Sequence, residues 1–218
     1  MQRRTVSSFR YTRPMQRTKP DTARRSETSR RAILTAALDL VGEVGYAKLS
    51  IEGIAARAGV GKQTIYRWWP SKGAVLFDAV LAGAEDEGGE TALPDTGDLE
   101  ADLKTVLRAT VDGLNDPAQD RLLRALSVEI VQDPQLAVLY AERLDGPMKE
   151  AKKARLRAAQ EAGQLPADLD LDVAVEMIWS PLTARWLHRT GPLTHAYADA
   201  VVEAALNGLR RGLPDGSR

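Results

Sequence analysis

The chain of 218 residues contains no cysteine and only two histidines. The absence of cysteine excludes disulfide bonds, thiolate metal sites and cysteine nucleophiles, and it is typical of cytoplasmic proteins. His188 and His195 lack a third ligand at a suitable spacing, so we predict no metal site and no cofactor. No apolar run approaches the roughly 20 residues that cross a bilayer, and the basic N-terminus has no apolar segment behind it. These absences predict a cytoplasmic protein without a membrane anchor.

Acidic residues are scarce in the first third of the chain, although the whole chain has no net charge. Residues 1–72 carry 15 Lys and Arg against 5 Asp and Glu, whereas residues 73–218 carry 15 against 25. This asymmetry indicates a nucleic-acid-binding end, because cations displace counterions from phosphates. A basic tail that only improves solubility explains the charge equally well. Residues 1–25 are predicted to form a disordered basic arm, with Arg24 and Arg25 as candidate DNA contacts.

Apolar residues recur at helical spacing along the chain, and no segment alternates as a strand does, so the predicted fold class is all-α. Residues 83–97 are rich in glycine and acids, which indicates a domain boundary. We therefore predict an N-terminal helical domain over residues 26–80 and a C-terminal helical bundle over residues 98–211.

Several helix ends can be located from local signals. Asp116-Pro117 and Asp133-Pro134 each pair a capping aspartate with a proline that favours the first helical position. The helix that begins at Asp133 is expected to run to about residue 162, with a kink at Gly146-Pro147. The last two helices are predicted over residues 170–190 and 194–211.

Residues 49–69 form the motif on which the functional interpretation depends. Ser50 caps a first helix, Gly59-Val60-Gly61 is a tight break, and a second helix runs from Lys62 to Trp69. Such a turn sets the second helix at a steep angle, and that helix can enter the major groove of DNA. Ile65 and Trp69 are expected to face the core. The candidate contacts to base edges or phosphates are Lys62, Gln63, Thr64 and Tyr66.

Residues 26–80 resemble the TetR family of bacterial transcriptional regulators. The resemblance rests on Val44-Gly45-Tyr46, Leu49-Ser50-Ile51, Ala58-Gly59-Val60, Thr64-Ile65-Tyr66 and Pro70-Ser71-Lys72. It implies an N-terminal three-helix helix-turn-helix domain over residues 26–80, joined to a C-terminal helical dimerisation and ligand-binding bundle over residues 98–211. The resemblance further implies a dimer that binds a palindromic operator, represses transcription and releases DNA when a small molecule enters the C-terminal domain. It also implies that Trp68 touches DNA, as do Lys62, Gln63, Thr64 and Tyr66. By the same resemblance Ser50 and Lys72 clamp phosphates. The chain departs from the family at Gly61, where a capping serine is common, and at Trp68, where histidine or tyrosine is common.

The C-terminal half supplies candidates for dimerisation and for effector binding. One stripe of the last helix is expected to face a second copy, and its members are Ala198, Val201, Val202, Ala205, Leu206 and Leu209. The helix over residues 170–190 is apolar on more than one face, so we expect both helices to pair with their copies. An apolar or mildly polar effector is expected in a pocket lined by Trp179, Tyr140, Met148, Thr183 and Arg185. Core packing of the tryptophans is the alternative.

We predict a sequence-specific DNA-binding transcriptional regulator, a repressor that a small-molecule ligand releases from a palindromic operator. One alternative is a nucleic-acid-binding protein without sequence preference, which uses the basic arm. The other is an α-helical enzyme, but the chain offers no set of nucleophile, base and orienting residue. We therefore predict that the protein is not an enzyme.

Overall fold

A computed structural model describes residues 22–86 and 92–210, with side chains described for residues 26–83 and 92–210. In this part of the chain the backbone is helical and contains no strand, which confirms the predicted fold class. The α-helices are α1 (Thr22–Val44), α2 (Ile51–Ala58), α3 (Lys62–Tyr66), α4 (Lys72–Asp86), α5 (Leu99–Asn115), α6 (Pro117–Gln132), α7 (Pro134–Tyr140), α8 (Gly146–Glu161), α9 (Leu171–His188) and α10 (His195–Leu209).

Most helix ends lie where the local signals place them. The side chains of Asp116 and Asp133 cap α6 and α7, and each is followed by the predicted proline. Two ends differ from the prediction. Helix α1 begins at Thr22, inside the predicted arm, and the rest of that arm lies outside the described residues, as do the side chains of Arg24 and Arg25. Helix α3 ends at Tyr66 rather than at Trp69.

The predicted kink at Gly146-Pro147 is a π-helical turn. Residues 141–145 wind as a π-helix between α7 and α8, and the backbone N–H of Gly146 donates to the carbonyl of Ala141. A Cβ atom on residue 146 would lie 2.8 Å from that carbonyl oxygen, so the wide turn requires glycine here. Pro147 follows without an N–H, which the wider turn tolerates.

The buried side chains form two clusters that do not coincide with the predicted domain boundary. The first cluster joins α1 to α4, but it also includes Leu126 of α6 and Leu136 of α7, both 2% exposed. The second cluster joins α5, α8, α9 and α10. Helices α6 and α7 therefore connect the C-terminal bundle to the helix-turn-helix domain through shared core packing.

The apolar stripe of α10 packs within its own chain. Ala198, Val202, Ala205, Leu206 and Leu209 are buried and Val201 is half-buried, and α10 lies against α5. The prediction that this stripe contacts a second copy is therefore wrong. Sequence periodicity identified the apolar face correctly, but it carries no information on which neighbour covers that face.

A buried ion pair anchors the segment that leads into α5. Arg155 of α8 donates to the carboxylate of Asp102 at 2.8 Å and to the carbonyl of Pro94 at 2.9 Å. Asp102 also accepts from the backbone N–H and the hydroxyl of Thr96. Burial raises the pKa of Asp102, but the hydrogen bonds from Arg155 and Thr96 outweigh it and hold that pKa below its ordinary value of 3.8. The pair therefore stabilises the fold at neutral pH and weakens only as the pH falls through the lowered pKa.

We predict that Arg155→Met lowers the free energy of unfolding at pH 7 by about 3–5 kcal/mol, because a buried carboxylate loses its cation. The double variant Arg155→Met/Asp102→Leu should recover most of that loss, since it removes both charges. Urea unfolding measures both values, and Arg157→Met, at an exposed position of the same helix, is the control. A loss no larger than that of the control would contradict a stabilising role for the pair.

Candidate nucleic-acid interface

The turn between α2 and α3 has the geometry of a helix-turn-helix. The Ser50 hydroxyl caps α2 by accepting from the backbone N–H of Gly53 at 3.1 Å. Gly59 ends α2 at φ +68°, a left-handed conformation that favours glycine. Helix α3 begins at Lys62, after Gly61, which provides no side-chain cap. In the described part of the chain no side chain caps the N-terminal N–H groups of α3.

Two buried side chains fix the orientation of α3. Ile65 is fully buried and Trp69, just after the helix, is 4% exposed, as the sequence predicted. Both belong to the cluster that contains Ile54 of α2, so the two helices share one core. Since α3 has only five residues, its orientation depends on this packing rather than on its own stability.

The opposite face of α3 is polar and open to solvent. Lys62 and Gln63 are exposed, Thr64 is half-buried, and Tyr66 is 55% exposed. The structure thus brings together four of the predicted contact residues on one short helix. The ammonium of Lys62 lies 2.7 Å from the Glu52 carboxylate, and this hydrogen bond lowers the pKa of Glu52. Lys62 is therefore already paired with a carboxylate of α2.

Trp68 is half-buried and adopts a T-shaped contact with Trp69, with 5.3 Å between ring centroids. The guanidinium of Arg67 lies 5.1 Å from the Trp68 ring. The exposed Arg67 was missed at the sequence level, as was the exposed Lys48 just before α2. Residues 46–72 contain five Lys and Arg and one carboxylate, Glu52. Counting cations in this short window would have identified both.

Lys72, which the family resemblance places at a phosphate, also makes hydrogen bonds within the protein. Its ammonium donates to the carbonyls of Tyr46 and Leu49, both at 3.2 Å, and lies 4.2 Å from the Tyr46 ring. These contacts join the start of α4 to the turn before α2. Ser50 is exposed, and its hydroxyl hydrogen remains available because the oxygen acts only as an acceptor in the cap.

The carboxylate of Asp78 on α4 links the interface to the C-terminal bundle. It accepts from the indole N–H of Trp69 at 3.0 Å and from the Arg30 guanidinium of α1 at 3.4 Å. Its other oxygen accepts from Arg143 at 3.0 Å, and Arg143 belongs to the π-helical turn over residues 141–145. One side chain thus contacts the DNA-binding domain and the only π-helical segment of the described chain.

The five predicted effector residues lie in different environments. Tyr140 packs against Phe77 in the first cluster, and buried Trp179 belongs to the second. Thr183 is exposed on α9, and Arg185 lines a separate cleft near the end of α9. Arg185 is six residues from Trp179, which places it about 120° away around α9 and in the other cleft. A pocket that Trp179 shares with Tyr140 and Met148 stays a prediction.

Lys152 of α8 is a polar group that the sequence reasoning missed near Trp179. Its ammonium lies 5.0 Å from the Trp179 ring, and burial lowers its pKa. Met148, 38% exposed, precedes it by one turn on the same face of α8. The basic residues of α8 follow one another in sequence, and sequence alone gave no means to identify Lys152 and Arg155 as the members that turn inward.

Residues 22–86 and 92–210 contain neither a metal-binding cluster nor a membrane-spanning helix. No group of three or more His, Asp or Glu side chains is arranged to hold a metal ion there. None of the helices in the same ranges is long and apolar enough to cross a membrane.

Comparison with known proteins identifies both halves of the chain. The family model "Bacterial regulatory proteins, tetR family" matches residues 33–79, and "Tetracyclin repressor-like, C-terminal domain" matches residues 93–205. The HTH-type transcriptional regulator YdeS of Bacillus subtilis is 31% identical over 85% of this chain and 92% of its own length. The DNA-binding transcriptional repressor TetR of Mycobacteroides abscessus is 31% identical over 84% of this chain and 94% of its own length.

Solved structures agree with the sequence relatives. The crystal structure of the TetR family transcription regulator SCO0332 superposes with a TM-score of 0.67 at 35% identity, and the match covers 83% of this chain and 97% of that one. Two family models, together matching most of the chain, and relatives that align along nearly their whole length lead to one assignment. The chain belongs to the TetR family and is a helix-turn-helix transcriptional regulator, not an enzyme.

Proposed function

We propose that the protein is a homodimeric, cytoplasmic repressor that reads a palindromic operator with α3 and is released by a small-molecule effector. The observation that supports this most strongly is the two-sided character of α3. Its buried side is fixed by Ile65, while Gln63 and Tyr66 are held toward solvent. The relative from Mycobacteroides abscessus, named a transcriptional repressor, favours repression over activation.

Direct readout requires side chains that donate to or accept from base edges, and α3 offers an amide, a hydroxyl and a phenol in one turn and a half. The pairing of Lys62 with Glu52 fits the same role. On DNA, Lys62 can exchange an exposed carboxylate for a phosphate, which costs little because neither partner is buried. The half-buried Thr64 and the exposed Tyr66 are then the side chains most dependent on the operator sequence.

We predict that Thr64→Ala and Tyr66→Ala each weaken binding to a selected operator by about 1–3 kcal/mol, the usual loss of a good base contact. Binding is measured by fluorescence anisotropy at fixed salt, and thermal unfolding checks that each variant is folded. Thr105→Ala, at an exposed position of α5, is the matched control and should bind as the unmodified protein does. Full affinity in a folded double variant would place the DNA contacts elsewhere.

The dimer interface is proposed on the exposed faces of α9 and α10 rather than on the buried stripe. On α9 the exposed apolar members are Val173 (49% exposed), Met177 (42%) and Leu187 (40%), with Ser180 and Ala184 between them. Their alternating spacing of four and three residues is typical of a seam between packed helices. On α10 the exposed small residues Ala200, Ala204 and Gly208 recur every four residues.

These two sets form one surface, which we call the α9–α10 face. The Met177 methyl lies 3.7 Å from where a Cβ atom on residue 208 would be, so α9 and α10 adjoin there. Small residues let another helix approach closely, and the apolar residues beside them are left uncovered by their own chain. A second copy is the occupant that fits, because a twofold contact brings two α3 helices to the two halves of a palindrome.

We predict that Met177→Glu shifts the protein from dimer to monomer at micromolar concentration, because a twofold interface places the new charge opposite or near its own copy. Sedimentation velocity measures the mass. Val131→Glu is the matched control, since Val131 is an apolar residue of α6 that is 86% exposed outside the face. Dissociation by the control, or a dimer that survives Met177→Glu, would contradict this interface.

Release by an effector needs a connection between the bundle and α3, and Asp78 supplies a candidate. Arg143 in the π-helical turn and Trp69 beside α3 both donate to its carboxylate. Wide helical turns of this kind often occur at functional sites. An effector that favours another conformation of this turn would change the support of Trp69, and so would shift the population away from operator binding.

We predict that Arg143→Gln speeds backbone hydrogen exchange in residues 62–70, because one of the contacts that hold Asp78 under Trp69 is weakened. Mass spectrometry of the free protein measures this without knowledge of the effector. Arg121→Gln, at an exposed position of α6 without a described hydrogen bond, should leave exchange unchanged. Equal exchange in the Arg143 variant and the unmodified protein would show that the turn does not support α3.

A further inference from the structure

A candidate binding site other than the DNA interface lies in the C-terminal bundle, beside the end of α9. A cleft of about 410 Å³ opens between the end of α5, the start of α6 and the turn after α9. Its apolar wall includes Leu114, Pro117 and Trp186. The volume is that of a site for a small molecule. The polar part of the lining consists mainly of cations, namely Arg124, Arg185 and Arg189.

Arg124 and Asp120, which both line the cleft, form an ion pair with each other. The Asp120 carboxylate accepts from Arg124 at 2.8 Å and from the indole N–H of Trp186 at 2.7 Å. Arg124 also donates to the carbonyls of Trp186 and Leu187, which are free groups at the end of α9. This pair is therefore structural, and its charges cancel. Arg185 and Arg189 are the remaining charged residues of the lining.

Arg185 is held in one orientation without a carboxylate. Its guanidinium lies 3.9 Å from the Tyr197 ring and donates to the carbonyl of Pro192 at 3.0 Å. On its other side lies Gly191, where an added Cβ atom would come within 3.1–3.2 Å of the guanidinium atoms. A side chain at residue 191 would push the guanidinium away. The site thus fixes a planar cation whose remaining N–H groups have no described acceptor.

Arg189 has a backbone conformation that is unfavourable for arginine. It ends α9 at φ +53° and is the only residue other than glycine with positive φ in the described chain. Glycine is the usual residue at such a helix end. In the described part of the chain the Arg189 side chain has neither an ion pair nor a hydrogen bond that could compensate for the strain. Strained positions of this kind are concentrated at binding sites.

We propose that this cleft binds a small organic carboxylate with an apolar body. The carboxylate would lie between Arg185 and Arg189, which together give the cleft its net positive charge, and the apolar body would contact Trp186 and Leu114. An apolar wall of this extent favours an organic acid over inorganic phosphate. The site is separate from Trp179 and Lys152, neither of which lines the cleft.

The test is calorimetric titration of the full chain with benzoate, 3-phenylpropionate and octanoate, each compared with its own neutral amide and with inorganic phosphate. We expect at least one acid to bind with a Kd below about 1 mM and its amide to bind about tenfold more weakly. Absence of binding by all three acids, or equal binding of acid and amide, would overturn the proposal.

Two variants separate binding from folding. Arg189→Gly removes the charge but suits the left-handed backbone, so we expect weaker binding of the acid by about tenfold with equal or higher thermal stability. Arg185→Gln should weaken binding similarly, whereas Arg121→Gln on α6, outside the cleft, should not. Unchanged acid binding in folded Arg189→Gly and Arg185→Gln would also overturn the proposal.

Discussion

The hydrogen bond from the buried indole of Trp69 to the carboxylate of Asp78 is the contact on which the functional arrangement depends. Helix α3 has five residues, which is too short to hold its own orientation. Its position is determined by Ile65 and Trp69, and the indole N–H of Trp69 requires an acceptor because the ring is buried. Asp78 provides that acceptor from α4. The direction in which Gln63 and Tyr66 point therefore follows from a side chain outside the motif.

The same carboxylate connects the C-terminal bundle to Trp69, which supports α3. Arg30 and Arg143 also donate to Asp78, so helices α1 and α4 and the π-helical turn meet at one anion. A carboxylate shared by several donors responds to the movement of any of them, since each contributes to its position. The core packing of Leu126 and Leu136 against the N-terminal helices provides a second, apolar connection. The two halves of the regulator are thus joined by packing and by charge.

Local features of the fold could be predicted from sequence, because their causes lie within a few residues. The cap at Ser50, the left-handed Gly59 and the caps at Asp116 and Asp133 all follow from adjacent residue types. The inward orientation of Ile65 and Trp69 followed from helical spacing. The polar edge of α3 was predicted for the same reason.

Features that depend on distant partners could not be predicted. The stripe through Val202 and Leu206 packs on α5, and periodicity cannot distinguish a neighbouring helix from a second copy. The exposed face of α10 was missed because alanine and glycine carry a weak apolar signal. Lys72 turns toward the carbonyls of Tyr46 and Leu49, a contact across more than 20 residues of sequence.

The grouping of Arg185 with Trp179 has a related weakness. Trp179, Thr183 and Arg185 lie within seven residues of each other, yet their side chains lie in a core, at an exposed face and in a cleft. Proximity in a helix sequence does not imply a shared site, because each residue turns by about 100° from the last. The clamp around Arg185 depends on Gly191 and Tyr197, which a helix pattern does not connect to it.

Selection of duplexes from a random DNA library with the full chain tests the central claim, dimeric readout by α3, most directly. We predict enrichment of one inverted repeat whose half-site centres lie about 10 base pairs or a multiple of that apart, as two copies of α3 related by a twofold axis require. A site enriched as an unpaired half, or no enrichment over the starting library at fixed salt, would contradict it.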